Sequence, residues 1–167
     1  AFLGILLSLF ACSSVRNSNS KKYDAQARAI LATTPIVDTH IDFPWHLVEN
    51  EKWYKPGYTA WALKNPDGNF DWERAKKGGL AGPFMSIYIP AAYQKTPGRA
   101  KQVADSLINM VYAVAKDYPS KFALSPHASD VEANFKKGLV SLPMGMENGA
   151  PIEKLSDVAY FHQRGIR

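Results

Sequence analysis

The chain has 167 residues, 46% hydrophobic and 21% charged, an ordinary globular composition that argues against a disordered or fibrous protein and suits about one domain. Its formal net charge is +5, but Lys and Arg occur in runs no longer than Lys21-Lys22, Lys76-Lys77 and Lys136-Lys137. With no basic stripe and no interleaved aromatics, a nucleic-acid partner is not expected. The single cysteine, Cys12, rules out an intrachain disulfide.

In chain order, the first feature is the apolar run FLGILLSLFA over residues 2–11. It has the length of a signal-peptide core and is too short to cross a bilayer as a helix, which takes about 20 residues. Leu9-Phe10-Ala11-Cys12 and the polar stretch SSVRNSNSKK then resemble a bacterial lipoprotein signal, although Phe10 is bulkier than the usual residue there. The expectation is a signal segment and lipobox over 1–12, lipidation of Cys12, and a polar tether over 13–22. The protein is then exported to the bacterial cell envelope and held to membrane lipid through Cys12. A plain signal peptide with an incidental cysteine is the other reading. The chain opens on Ala1 with neither Met nor a basic leader, so its start is expected to lie upstream.

The remaining residues, 23–167, repeat one pattern: a helix-like stretch ends in a basic residue and Gly, and an apolar run follows. A helix is predicted around Tyr23 to Ala32 and a first strand over Pro35 to Ile41. Lys76-Lys77-Gly78 precedes the run Leu80 to Ile89, Lys136-Lys137-Gly138 precedes Leu139 to Met146, and Arg164-Gly165 precedes Ile166. Glycine closes helices, and cations suit their C-terminal ends. Val103, Leu107, Met110 and Val114 form one helical stripe. Ser129 and Glu132 read as a capping box for a helix ending near Lys137, and Pro151 suits the first turn of a helix over Ile152 to Arg164. The near-continuous apolar runs predict strands buried on both faces. Strands alternating with helices predict an α/β fold with a parallel sheet, either open or closed into a barrel. No Gly-rich phosphate loop follows the first strand, which argues against nucleotide binding. About three strand–helix units are visible, so a (β/α)8 barrel of about 250 residues would be incomplete here.

The first strand ends in Asp38-Thr39-His40-Ile41-Asp42. Alternation places Asp38, His40 and Asp42 on one face, and polar groups at the end of a buried strand are costly unless paired or bound to metal. Imidazole nitrogen and carboxylate oxygen at i, i+2 spacing can reach one zinc ion. Glu147 ends another apolar run, where it can serve a metal, cap a helix or pair with a cation.

Three segments together resemble the membrane (renal) dipeptidase family of zinc peptidases: PIVDTHIDFPW from Pro35, GLAGPFMSIYIP from Gly79, and MGMENG from Met144. Pro83 stands where many members carry Gln. The resemblance implies the N-terminal part of a TIM-like (β/α)8 barrel with two zinc ions at its mouth. It implies His40 and Asp42 on one ion, Glu147 shared by both, and Asp38 beside the ligands. It further implies hydrolysis of a dipeptide substrate by a metal-bridging hydroxide. The remaining ligands and the groups that grip the dipeptide termini are expected downstream, so this stretch alone is expected to be inactive.

Other residues read more plainly. His46 is expected on the surface or in packing, although it could line the pocket mouth. His127 is expected in a loop and His162 in the last turn of a helix. Trp53, Tyr54, Tyr58 and Trp61 form an aromatic insertion that could cover the site or pack on the rim. The competing functions are another amidohydrolase-like, metal-dependent hydrolase, or a non-catalytic surface lipoprotein that keeps the fold.

Overall fold

The computed structural model describes residues 21–167, so the expected signal segment, lipobox and Cys12 lie outside the described residues. The chain divides after Thr34 into two units. In the first, residues 21–33 form helix α1, whose end is tied by Thr33 Oγ1 donating to the Ile30 carbonyl at 3.2 Å.

In the second unit the order is β1 (Ile36–Ile41), α2 (Phe43–Glu49), a tight helical turn (Tyr58–Ala62), α3 (Trp72–Gly78), β2 (Leu80–Tyr88), a second tight turn (Ala91–Lys95), α4 (Arg99–Asp117), β3 (Phe122–Leu124), α5 (Ala128–Lys136), β4 (Val140–Leu142), β5 (Met144–Glu147) and α6 (Leu155–Gln163). Every strand pairing is parallel, in the orders β1-β2-β5 and β3-β4. The α/β class with a parallel sheet is therefore as the sequence predicts. No helix among the described residues is long and apolar enough to cross a membrane.

Several expectations change in detail. The run Leu139 to Met146 is two strands, β4 and β5, parted at Pro143. Proline brings no N–H to a ladder; the Pro143 carbonyl instead accepts from Met85 N–H at 2.8 Å, which hands the chain from β3 to β2. β3 was not visible in the sequence because three residues carry no legible period. The predicted burial fails for β1, which is exposed from Ile36 to His40 and half-buried at Ile41. Among the described residues it pairs with β2 alone. Central β2 is buried as expected, with Ile87 fully enclosed.

Helix caps shift as well. α5 starts at Ala128, where the Asp130 carboxylate accepts from His127 N–H at 2.8 Å, so His127 and Asp130 take the place predicted for Ser129 and Glu132. α6 begins at Leu155 rather than in the turn after Pro151, because the Asp157 carboxylate gathers the N–H groups of Glu153 and Lys154, each at 3.1 Å. The α4 stripe holds: Leu107, Met110 and Val114 are buried, with Val103 half-buried beside them. Ile166 bridges Met144 in parallel, as expected of a residue entering a further strand.

Candidate metal centre

β1 and β5 flank β2 in parallel, so their C-terminal ends emerge at the same edge of the sheet. β1 stops at Asp42 because Pro44 opens α2, whose first backbone bond runs from His46 N–H to the Asp42 carbonyl at 2.8 Å. Asp42 thus holds the N-cap position, where an Asp side chain normally contributes about 1 kcal/mol by capping. Its carboxylate caps nothing. Instead Oδ1 lies 3.2 Å from His40 Nε2. Asp38 does not join this group. Its Oδ1 accepts from the backbone N–H of His40 at 3.0 Å and braces the strand end behind the imidazole.

The turn after β5 delivers Glu147. Asn148 and Gly149 both adopt left-handed backbone, φ 64° and 66°, which Asn and Gly tolerate best. The Asn148 amide donates to the Ile89 carbonyl at 3.0 Å and its Oδ1 accepts from Ala150 N–H at 2.9 Å, which fastens the turn to the end of β2. Glu147 Oε2 then lies 3.3 Å from His40 Nε2 and accepts from Ser86 Oγ at 3.1 Å.

One ligand-type atom from each of His40, Asp42 and Glu147 lies within 4.8 Å of the others. The side chains are half exposed, at 50%, 54% and 41%. Among the described residues neither carboxylate pairs with a Lys or Arg. Arg167 lines the adjoining cavity, but its Nε donates to the Pro126 carbonyl and its Nη1 to those of His162 and Ile166, not to the carboxylates. Two carboxylates drawn onto one imidazole without a cation fit a divalent ion, and one nitrogen with two oxygens is a donor set that suits zinc.

Glu147 stands between two cavities. One, of about 370 Å³, is lined by Asp42, Trp45, His46, Asn65 and Tyr88; the other, of about 540 Å³, by His40, Ser86, Gly145 and Arg167. The outer wall of the first comes from Asn65, Asn69 and Phe70, just after the aromatic insertion. Buried Lys52 sets its Nζ 3.6 Å from the Trp61 ring centroid, 3.3 Å from Asp67 Oδ2 and 3.5 Å from Asn65 Oδ1. Asp71 caps α3 through Arg74 N–H at 2.8 Å and also accepts from Asn65 N–H at 3.0 Å and the Arg74 guanidinium at 2.9 Å. Burial of Asp71 opposes its charge, but these donors outweigh it and hold the carboxyl below the usual range. Tyr58 and Trp61 pack against the core, while Trp53 and Tyr54 stay exposed.

His46 lines the first cavity, with its ring 3.1 Å from the Asn50 amide; the sequence favoured a surface or packing place for it. His127 lies at the start of α5 and His162 in the last turn of α6. Sequence reasoning missed Ser86 and Tyr88. The available signal was a small polar residue inside the apolar run Leu80 to Ile89.

Residues 24–167 match the membrane dipeptidase family, peptidase family M19. Dipeptidase ataJ of Aspergillus terreus is 26% identical over 157 residues, covering 89% of this chain and 38% of that protein. Among solved structures, dipeptidase AC, a family M19 metallopeptidase, superposes with a TM-score of 0.67 at 28% identity, covering 81% of this chain and 41% of the other. A metallopeptidase from Rhodobacter sphaeroides, liganded with a phosphinate mimic of the dipeptide L-Ala-D-Ala, gives 0.68 at 26% identity over 81% of this chain and 44% of its own. The probable dipeptidase PvdM from Pseudomonas aeruginosa gives 0.73 at 19% identity, a likeness of fold alone. The chain spans less than half the length of each of these relatives. With a match running from residue 24 to 167, this chain belongs to the membrane dipeptidase family, peptidase family M19.

Proposed function

We propose that the protein to which this chain belongs hydrolyses dipeptides, and that His40, Asp42 and Glu147 form part of its zinc centre. The observation that carries this reading is the meeting of His40 Nε2, Asp42 Oδ1 and Glu147 Oε2 at 3.2 and 3.3 Å, with no Lys or Arg paired to either carboxylate among the described residues. The described strands are read as the N-terminal part of a TIM-like (β/α)8 barrel, whose active site lies at the C-terminal ends of its strands; the site residues lie at such ends. A dipeptide substrate is supported by the Rhodobacter sphaeroides relative, which holds a dipeptide mimic.

In this reading His40 and Asp42 would hold one zinc ion, and Glu147 would help to hold a second. Bound zinc supplies a water acidic enough to be deprotonated near neutral pH and a Lewis acid for the scissile carbonyl. The chain's own residues do the placing. Asp38 fixes the backbone that carries His40, and the left-handed turn at Asn148-Gly149 sets the height of Glu147. Trp45 and Tyr88, packed edge to face at 5.5 Å, wall the cavity in which a substrate would lie and limit the water that reaches it.

The test uses the natural full-length protein. Dipeptide hydrolysis should vanish with chelator and return with zinc, and His40→Ala and Glu147→Ala should each abolish it, because each removes a metal ligand. Full activity in Glu147→Ala refutes the site. Lipid anchoring through Cys12 at the cell envelope belongs to the same proposal. Mass spectrometry of the mature N-terminus should find an acylated Cys12, and an unmodified N-terminus elsewhere refutes it.

A further inference from the structure

Ser86 is a buried hydroxyl in an apolar strand, 4% exposed, and nothing in the packing of β2 calls for it. A buried hydroxyl is costly unless it is hydrogen-bonded. Among the described residues its one bond is to Glu147 Oε2, at 3.1 Å across 61 positions of sequence. A carboxylate can only accept, so the hydroxyl donates.

The geometry around this bond is specific. Across the β2–β5 ladder Ser86 faces Gly145 and Tyr88 faces Glu147, so the hydroxyl reaches Glu147 diagonally from beneath. The same Oε2 is the oxygen 3.3 Å from His40 Nε2. Oε1 has no hydrogen-bond partner among the described residues. The terminal torsion of a glutamate side chain is broad and roughly two-fold, so a half-exposed carboxylate does not orient itself. A single donor on one oxygen removes that freedom.

We propose that Ser86 is a positioning residue. Its hydroxyl clamps Glu147 Oε2 toward His40 and leaves Oε1 as the free oxygen, so that the carboxylate is set for metal before any metal arrives. The inference rests on the zinc reading above and deepens it. Partners that orient a metal ligand typically change metal affinity 10–100-fold when they are removed, and the clamp predicts a loss of that order.

The experiment measures zinc dissociation constants of the full-length protein by competition with a chromophoric chelator. Ser86→Ala should weaken zinc binding about 10–100-fold. Ser86→Thr should restore it, since it keeps the donor. Across the ladder from Ser86, Gly145 carries no side chain. Ile87→Val, a cavity-forming change at the next buried residue, should leave zinc binding within about two-fold, which separates positioning from general destabilisation. Zinc binding by Ser86→Ala equal to that of the unaltered protein overturns the Ser86 inference alone. So does failure of Ser86→Thr to recover affinity, or a loss in Ile87→Val as large as in Ser86→Ala. Absence of zinc binding in the unaltered protein overturns the zinc reading itself.

Discussion

Neutralising Asp42 should stabilise the metal-free protein and destabilise the metal-loaded one. The carboxylate oxygens of Asp42 and Glu147 lie no more than 4.8 Å apart, with His40 between them and no Lys or Arg paired to either among the described residues. Two unit charges at that distance repel by about 1 kcal/mol at the dielectric of water and about 3 kcal/mol at an effective value of 20. Both side chains are half exposed, which favours the lower figure. Asp42→Asn keeps the shape and removes one charge, so the metal-free protein should gain up to about 1 kcal/mol, a rise in Tm of about 1–2 °C. With zinc present the sign reverses, because the variant has lost an anionic ligand and the stabilisation that binding confers. The assay is thermal unfolding of both proteins, in excess chelator and in excess zinc. A Tm that falls in chelator as it does in zinc refutes the reasoning, since it would mean that Asp42 serves the fold.

Two further outcomes follow from the wall of the first cavity. Gly68→Ala should cost about 1–3 kcal/mol by overpacking: its new Cβ would run into the side-chain amide of buried Asn65, which Lys52 and Arg74 hold in place. Urea unfolding and dipeptide turnover read this, and an unchanged midpoint refutes it. Asp71 has a lowered carboxyl pKa in the folded state, so its stabilisation is complete above its unfolded pKa of about 3.9 and is lost as pH falls through the lower folded value. Denaturant midpoints from about pH 5 to pH 3 should fall less steeply in Asp71→Asn than in the natural protein, and equal slopes count against the assignment.

What could be read in the sequence was whatever the chain announces locally. The α4 stripe repeats over about three turns of one helix, and Gly138, left-handed at φ 75°, closes α5 as predicted, while α3 closes at Gly79, also at φ 75°, one residue past the predicted Gly78. His40 and Asp42 were legible because a two-residue spacing on a strand already puts both side chains on one face. The exposure of β1 was not legible, because it depends on which strands pair with it, and among the described residues only β2 does. β3 was too short to carry a pattern, and Pro143 divided a run whose hydrophobicity is continuous. The caps of α5 and α6 were misplaced because Asp130 and Asp157 each gather an N–H upstream of the helix, a choice among several nearby polar residues that spacing alone does not decide.

The supports of the site were hidden for a different reason: each acts across the chain. Ser86 reaches Glu147 over 61 positions, Asn148 reaches Ile89 over 59, and Lys52 reaches Asn65 over 13. In a parallel sheet, neighbouring strands are joined by a crossover of a dozen residues or more, so whatever braces a strand-end ligand is by construction distant in sequence. The ligands themselves carry a local mark, an acid or imidazole where an apolar strand stops. Their braces carry a weaker one, a polar residue inside a run that should be wholly apolar. Ser86 in β2 bears that mark, and so does Ser141 in β4, whose hydroxyl accepts from the Asn134 amide at 3.1 Å and is fully buried. The mark alone does not tell the two apart. Ser141 ties α5 to β4, whereas Ser86 ends on a carboxylate at the site, and only the folded register of β2 against β5 reveals which is which.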